Sequence, residues 1–233
     1  QERRERLLIV SVDCARITEH CFCHMVGNAP VVEKGMGINL TPVADGFVAR
    51  ADTPEGQAGL DAAGLRAPVT PEHRAQAAAT EERTRQELEE SNERFSWNGS
   101  SFHGLLGGEV SPDAWNDLFA SCVECGSCTS LCPTCYCFYM VDRSRSGAPP
   151  AAYEKLRSWD SCLLSDYSRM AGGDGMKPTP RPRLRSRYEN RLRHKFQYFH
   201  ETHGQYGCTG CGRCSAACSA TADPREVMRV LAQ

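Results

Sequence analysis

The sequence has no long hydrophobic run and no strong excess of charge of one sign. Its longest apolar stretches, such as residues 7–10, fall far short of the roughly 20 residues that a membrane-spanning helix needs. Lys and Arg number 27 against 29 Asp and Glu, so the net charge of -2 provides no uniformly basic field of the kind expected of a dedicated nucleic-acid-binding protein. No signal-peptide pattern opens the chain. We therefore expect a cytoplasmic protein that binds neither membranes nor nucleic acids.

A nucleotide-binding fingerprint is also missing. No Gly-x-Gly-x-x-Gly run follows a predicted strand, which excludes the common phosphate-binding turn for NAD or a flavin. We therefore expect any such cofactor to lie on another protein.

Cysteine, in contrast, is abundant, with 14 residues in a chain of 233. Reducing compartments do not maintain disulfide frameworks, so this density in a protein without export signals indicates metal or redox chemistry. The question becomes which metal centre the cysteine spacing favours.

Charge and local patterns divide the chain into two different regions. Residues 1–120 hold 11 basic and 19 acidic side chains, whereas residues 121–233 hold 16 basic and 10 acidic side chains. The β-branched run over 7–12 and a hairpin over 38–50 that turns at Asp45-Gly46 predict strands. We therefore expect a small β-containing unit over residues 1–66.

The next part of the chain predicts a helical linker and loop over residues 67–110. Thr70 and Pro71 form an N-cap and first helical residue, and the polar stretch up to Phe95 predicts a mostly solvated helix. Residues 96–108 are rich in Gly, Ser and Asn, which favours a loop. A further helix begins near Ser111, with Trp115, Leu118 and Phe119 on one face.

Residues 111–233 are predicted to be mainly helical, which makes the fold class α+β. A long helix is expected from Arg183, with an apolar stripe that we interpret as core. The stripe consists of Leu184, Tyr188, Leu192, Phe196 and Phe199. A basic run along the same segment is interpreted as a solvated face that forms salt bridges. It consists of Arg181, Arg183, Arg185, Arg187, Arg191, Arg193 and Lys195.

Two cysteine runs have the spacing of [4Fe-4S] ferredoxins. Each run follows the pattern Cys-x2-Cys-x2-Cys-x3-Cys, and the first ends in the Pro133 that is typical of it. The first run is Cys122, Cys125, Cys128 and Cys132, and the second is Cys208, Cys211, Cys214 and Cys218. Small residues between the thiols let backbone N–H groups approach the cluster sulfides and offset the charge of four thiolates.

The same spacing predicts how the eight thiols divide between two clusters. In two-cluster ferredoxins the fourth cysteine of each run binds the other cluster. We therefore assign one cluster to Cys122, Cys125, Cys128 and Cys218, and the second to Cys208, Cys211, Cys214 and Cys132.

Three alternatives explain the runs less well. Structural zinc sites use pairs of Cys-x2-Cys rather than triples, and disulfides do not suit the compartment. The segment from Cys128 to Cys135 also matches radical-SAM spacing, and residues 107–109 resemble another element of that family. That element should follow the cysteines, within a barrel that this chain is too short to form.

Six further cysteines lie outside the two runs, and three of them suggest a third metal site. Cys14, Cys21 and Cys23 place three thiols within ten residues. A fourth ligand for a third iron-sulfur cluster would come from Cys135, Cys137 or Cys162, or from His20 or His24. The alternative is that these thiols are structural or regulatory, since buried cysteine behaves as a small hydrophobic residue.

The sequence resembles the 4Fe-4S dicluster electron-transfer subunits of cytoplasmic redox complexes. The resemblance rests on residues 122–141, Trp159 to Cys162, Ala171 to Gly173, His194 to Phe196 and Gly207 to Cys214, and extends to Val12–Cys14 and Cys21–Cys23. This family includes the beta subunit of sulfhydrogenase-type [NiFe] hydrogenases, the dicluster iron-sulfur subunit of anaerobic sulfite reductase, and flavin oxidoreductase partners of heterodisulfide reductase. Ser219 departs from the family, which usually has proline after the last cysteine.

The resemblance implies an electron-transfer subunit with no catalytic residues of its own. It implies two [4Fe-4S] clusters in a helical ferredoxin-type domain over residues 111–233, with a long insertion between Cys132 and Cys208. The expected partners are a subunit that binds flavin or NAD(P) and a catalytic redox subunit, in a hetero-oligomer. The basic helix from Arg181 and the acidic segment over 72–93 are candidate subunit contacts.

Two other functional classes are consistent with the cysteines. One is a redox- or oxygen-sensing regulator with a labile cluster at Cys14, Cys21 and Cys23, but no helix-turn-helix signature accompanies it. The other is an enzyme that binds substrate at an unusual iron-sulfur cluster.

Overall fold

A computed structural model describes most of the chain. The described residues are 2–64, 67–95, 97, 99–144, 152–170, 178–220 and 222–233. Ala171 to Gly173, which contribute to the resemblance, lie outside them. Among the helices within these ranges, none combines the length and apolar character needed to cross a bilayer.

The fold consists of two compact units, which meet in sequence at residues 94 and 95. The first comprises Gln1–Arg94 and the second Phe95–Gln233. The division into 1–66, 67–110 and 111–233 stays a prediction. Both units contain helices and a small sheet, which confirms the predicted α+β class.

The first unit is built around a three-stranded sheet. Its elements are α1 (Glu2–Glu5), β1 (Val10–Val12), a 3-10 turn (Cys23–Val26), β2 (Ile38–Val43), β3 (Gly46–Ala51), α2 (Pro54–Ala62) and α3 (Pro71–Asn92). Strand β1 pairs with β2 in parallel, and β2 pairs with β3 as an antiparallel hairpin. The hairpin predicted over 38–50 is therefore confirmed, with Val43 opposite Gly46 at the turn.

Helix α3 begins where the sequence predicts it. Thr70 accepts a hydrogen bond from the His73 N–H at 3.2 Å, and Pro71 occupies the first turn, where a missing N–H costs nothing. The helix is less solvated than expected, because it packs on β2 and buries the row Thr80, Thr84 and Leu88, spaced by four residues. The hydroxyl of Thr84 is satisfied in this buried position, because it donates to the carbonyls of Thr80 and Cys14.

The second unit contains the two ferredoxin-type cysteine runs. Its elements are α4 (Phe102–Gly107), α5 (Pro112–Leu118), α6 (Ser127–Ser130), β4 (Phe138–Ser144), β5 (Tyr153–Trp159), α7 (Leu184–Arg193), a π-helical segment (His194–Tyr198), α8 (Phe199–His203), α9 (Arg213–Ala216) and α10 (Pro224–Leu231). The loop expected over 96–108 is wrong in its second half, which forms α4. Ser101 caps this helix, while Phe102 and Leu106 anchor it in the core.

The long helix expected from Arg183 is confirmed as α7, the π-helical segment and α8 in succession. Tyr188, Leu192 and Phe196 are buried, so the predicted apolar stripe is core. Tyr188 stacks on Phe119 with ring centroids 3.6 Å apart, and Phe196 stacks on Phe102 at 4.6 Å. This helix is the scaffold on which the cysteine runs are arranged.

An antiparallel hairpin formed by β4 and β5 was not predicted from the sequence. Phe138 pairs with Trp159 and Ser144 with Tyr153 at its two ends. Every residue of β4 is exposed, so the strand has no buried face and no alternating apolar pattern. The hairpin brings the chain back so that Cys137 and Cys162 lie near its base.

Candidate iron-sulfur sites

The two cysteine runs adopt the same backbone conformation. In each, a left-handed glycine, Gly126 or Gly212, precedes a four-residue helix that carries the third cysteine at its second position. The N–H groups of the third and fourth helical residues donate to the carbonyl of that glycine at 3.0 Å in both runs. Glycine suits this position because its φ of about 70° strains other residues.

The two runs have different residue types at their third position, where the backbone is left-handed in both. The third residue of the second run, Gly210, has φ 69°, and its counterpart in the first run is Glu124, with φ 55°. Glu124 is the only non-glycine residue with positive φ in the described part of the chain. Its carboxylate is held 2.6 Å from the guanidinium of Arg187, which fixes the strained segment in place.

The structure brings the first predicted set of cysteines around one cavity. Cys122, Cys125, Cys128 and Cys218 all line a pocket of about 320 Å³, part of it open to solvent. Cys218 therefore lies near the cysteines of the first run. Its position is compatible with the crossed assignment expected from the ferredoxin spacing, and the division of the eight thiols between two clusters stays a prediction.

The thiols of this set differ in exposure and acidity. Burial raises the pKa of Cys128, and the nearby thiols of Cys214, Cys218 and Cys122 raise it further, while Arg191 opposes them. Cys125 is exposed, and hydrogen bonding to the hydroxyl and backbone N–H of Ser127 lowers its pKa. A metal that binds here must displace protons from the buried thiols.

The second set, Cys208, Cys211, Cys214 and Cys132, also stays a prediction, and the structure places Cys132 near the start of the second run. Burial raises the pKa of Cys208 to about 12, and the charges of Cys214 and Cys132 add to the effect. Thr134 Oγ1 lies 3.3 Å from Cys132 Sγ and 2.7 Å from the carbonyl of Gly207, the residue before Cys208, so Cys132 lies near the start of the second run. The Gly210 N–H donates to Cys208 Sγ at 3.3 Å, as expected of a backbone donor beside a cluster ligand. Cys211, the remaining cysteine of the set, lies between Cys208 and Cys214 in the sequence.

Helix α7 and the π-helical segment place three basic side chains inside the second unit. Arg187, Arg191 and Lys195 are only 2%, 3% and 6% exposed. The interpretation of the basic run as a solvated face is therefore wrong for these three. Their spacing of four residues puts them on one side of the helix, next to the apolar stripe. The spacing of four residues could have indicated that these three side chains are buried. The other arginines of the run alternate with them in the sequence, which favoured a solvent-exposed face.

Arg187 is fully paired. Its guanidinium donates to the carbonyls of Leu163 at 2.7 Å, Pro182 at 2.8 Å and Arg181 at 3.1 Å, and to the carboxylate of Glu124. It therefore joins helix α7 to the first cysteine run, and its charge is balanced locally.

Arg191 lies between the two cysteine sets. It donates to the Cys128 carbonyl at 3.1 Å, while its buried Nε has no hydrogen-bond acceptor among the described residues. Burial alone would lower the pKa of Arg191, but the charges of Cys128, Cys214 and Cys135 outweigh it and raise the pKa above its ordinary value.

Lys195 lies beside the second set. Its ammonium donates to Thr134 Oγ1 at 2.8 Å and to the Gly207 carbonyl at 2.9 Å. Burial lowers its pKa, but Cys135, Cys132 and Cys208 outweigh that effect and hold the pKa above the ordinary value. Thr134 Oγ1 also lies 3.3 Å from Cys132 Sγ, so Lys195 contacts this set through a short polar bridge.

Three other thiols of the second unit form hydrogen-bonded pairs. Cys135 pairs with Cys132, which lowers the pKa of Cys132 and raises that of Cys135. Cys137 pairs with Cys162, which lowers the pKa of Cys137 and raises that of Cys162. Burial, together with hydrogen bonding to Cys137, raises the pKa of Tyr167 to about 12.

The first unit holds Cys14, Cys21 and Cys23 on one loop. Burial raises the pKa of Cys23 to about 11, and the charges of Cys21 and Cys14 contribute to that increase. Buried side chains of helix α3 fix the loop backbone: Thr84 donates to the Cys14 carbonyl at 3.1 Å and Asn92 to the Cys21 carbonyl at 2.8 Å.

The donors of the first cysteine set fit an iron-sulfur cluster, whose irons are bound by thiolates. Among the described residues, no three His, Cys, Asp or Glu side chains lie close enough to hold a single metal ion. An iron-sulfur cluster distributes its thiolates over several irons and so tolerates wider spacing. Four cysteines on one cavity, with buried cations beside them, fit such an anionic group. The fourth ligand predicted for the third site, from Cys135, Cys137 or Cys162, or from His20 or His24, stays a prediction.

Comparison with known proteins supports the iron-sulfur interpretation. Residues 121–222 match the family model of the 4Fe-4S dicluster domain. The chain is 28% identical over 231 residues to Sulfhydrogenase 2 subunit beta of Pyrococcus furiosus, an alignment that covers 98% of this chain and 64% of that protein. No solved structure matches the chain. The predicted resemblance to dicluster electron-transfer subunits is thereby confirmed.

Proposed function

We propose that this chain is the iron-sulfur subunit of a cytoplasmic redox complex, and that it carries electrons between a catalytic subunit and one that binds flavin or NAD(P). The catalytic subunit would be of the hydrogenase, sulfite or sulfur reductase, or heterodisulfide reductase type. The main support is the cavity lined by Cys122, Cys125, Cys128 and Cys218, which lies within the region that matches the dicluster domain. The chain spans 64% of the length of the sulfhydrogenase subunit, so the activity of the complete protein is part of this proposal.

Each cluster would be held by the thiolates assigned from the sequence. When bound, a [4Fe-4S] cluster supplies a one-electron carrier whose potential depends on its surroundings. The first set is Cys122, Cys125, Cys128 and Cys218, and the second is Cys208, Cys211, Cys214 and Cys132. The protein's own task is to hold these thiols, exclude water from the buried ones and compensate their charge. This requires no general acid, base or nucleophile.

The exposure of the two sets suggests where electrons enter or leave. Cys125 is exposed and Cys128 is buried, so the first set extends from the surface toward the interior. Helices α6 and α9, which carry Cys128 and Cys214, pack against each other. Electrons would therefore pass between the two sets through the interior of the second unit.

Iron and acid-labile sulfide, determined on protein purified without oxygen, test the cofactor proposal. We expect about eight of each per chain for two [4Fe-4S] clusters. About twelve of each would support a third cluster at Cys14, Cys21 and Cys23. If the count is twelve, the double variant of Cys21 and Cys23 to Ser should return it to about eight. Zinc without sulfide would refute the proposal.

The partners need a separate experiment on the native complex. Anaerobic purification from the source cells should yield this chain in a hetero-oligomer that contains flavin. In that complex, NAD(P)H or the substrate of the catalytic subunit should reduce the clusters. A complex without flavin, or clusters that neither reductant reduces, would contradict the proposed position in the chain of electron carriers. Neither comparison favours the alternative of a redox- or oxygen-sensing regulator.

A further inference from the structure

The two buried cations Arg191 and Lys195 lack the partners that usually accompany buried charge. Among the described residues, neither forms an ion pair with Asp or Glu, and their hydrogen bonds go to the Cys128 carbonyl, the Gly207 carbonyl and the Thr134 hydroxyl. A cation removed from water without a counterion costs several kcal/mol. The hydrogen bonds of these two side chains lead to the cysteine runs, because Arg191 donates to the Cys128 carbonyl and Lys195 donates to Thr134 Oγ1, which lies 3.3 Å from Cys132 Sγ.

The distribution of these cations over the two sets is uneven. Arg191 donates to the Cys128 carbonyl of the first set, and helix α6, which carries Cys128, packs against helix α9, which carries Cys214 of the second set. Lys195 contacts Thr134 Oγ1, which lies 3.3 Å from Cys132 Sγ, and the carbonyl of Gly207, the residue before Cys208; Cys135, which belongs to neither set, also acts on its charge. Arg187 is different, because the carboxylate of Glu124 already balances its charge.

We propose that Arg191 and Lys195 set the reduction potentials of the two iron-sulfur sites, with Arg191 acting on both and Lys195 on the set of Cys208, Cys211, Cys214 and Cys132 alone. This inference rests on the proposed electron-transfer function. Uptake of one electron from a reduced flavin adds one negative charge at the site, and no proton or ligand needs to move. A fixed positive charge nearby stabilises the reduced form more than the oxidised form and so raises the potential.

The unpaired Nε of Arg191 is consistent with this function. A guanidinium present only to fix the backbone would be expected to saturate its donors on carbonyls, as Arg187 does. Arg191 instead keeps a buried N–H without an acceptor among the described residues, next to cysteines of both sets. Such a donor is suited to a bound anionic group.

Lys195 provides the sharper test, because its effect should be confined to one site. The full chain is purified with its clusters without oxygen, and both potentials are measured by mediated titration with EPR detection. In Lys195→Met we expect the reduction potential of one cluster to fall by about 59 mV. At a fixed potential, the ratio of reduced to oxidised form of that cluster is then about tenfold smaller. The other cluster should be unchanged. Lys195→Arg keeps the charge and should restore most of the shifted potential.

A matched control and a second variant separate charge from structure. Arg183→Gln removes a charge from an exposed position at the start of helix α7 and should shift neither potential. If Lys195→Met loses iron, the reduction potentials are measured in Lys195→Gln instead. This variant keeps a hydrogen-bond donor for Thr134. Three outcomes would overturn the inference and leave the proposed function standing. The potentials could be unchanged in the neutral variants, Lys195→Arg could shift the potential as much as they do, or all three variants could lose iron. A wild-type chain without iron and sulfide would overturn both.

Discussion

Glu124 offers the most direct test of how the first cysteine run is held. Its φ of 55° is a conformation that costs a residue with a Cβ roughly 1 kcal/mol, and its carboxylate partners Arg187, which is 2% exposed. Breaking a buried ion pair by removing one partner costs about 3–5 kcal/mol when both groups are buried. The Glu124 side chain is 37% exposed, so water can reach the vacated position. We therefore expect Glu124→Ala to lower the free energy of unfolding by about 2 kcal/mol.

Glycine at the same position separates the two contributions. Glu124→Gly also loses the ion pair, but it removes the backbone strain, so we expect it to be about 1 kcal/mol more stable than Glu124→Ala. Urea unfolding followed by tryptophan fluorescence measures this, because Trp97, Trp115 and Trp159 all belong to the second unit. Gly210→Ala, at the corresponding residue of the other run, is the matched control and should be destabilised by about 1 kcal/mol. The reasoning fails if Glu124→Ala matches the wild type, or if the glycine variant is the less stable of the two.

Two further predictions concern the core and the thiols. Phe196 is fully buried against Phe102, so Phe196→Ala should cost about 3–5 kcal/mol in the same unfolding assay, and a loss below about 1 kcal/mol would contradict the packing described. In the cluster-free chain, Cys125 should react with iodoacetamide faster than Cys23 at neutral pH, because a lowered pKa leaves more thiolate while Cys23, with a pKa of about 11, stays protonated. Ser127→Ala should slow the modification of Cys125 but leave Cys23 unchanged, as mass spectrometry of the modified peptides would show; the reverse order of reactivity would refute the assignment.

Spacing in the sequence was sufficient to predict a 4Fe-4S dicluster domain, and it also gives the expected division of the cysteines into two sets. The runs from Cys122 and from Cys208 each fix three thiols within seven residues, and the remaining cysteine follows from the ferredoxin pattern. Helix α3 was predictable for a similar reason, since Thr70 and Pro71 act on residues next to them in the chain. Such local rules need no knowledge of the tertiary structure.

The features that sequence reasoning missed depend on distant parts of the chain. Whether Arg191 is solvated or buried depends on the cysteines that face it, and they lie more than 20 residues away on either side. The conformation of Glu124 depends on an ion pair with a residue 63 positions further on. The strands β4 and β5 have no buried face, so no alternation of apolar and polar residues indicated them.

The helix formed by α7 and the π-helical segment would also determine how the two sites unfold locally. Its side chains bond to the Cys128 carbonyl in one run and to the Gly207 carbonyl, just before Cys208, in the other. Regions joined in this way open as one cooperative unit in native-state exchange. A fluctuation that unwinds this helix would loosen both runs together, so oxidative loss of the two cofactors should follow a single rate rather than two independent ones. The lifetime of the whole electron path would then be set by the local stability of one helix.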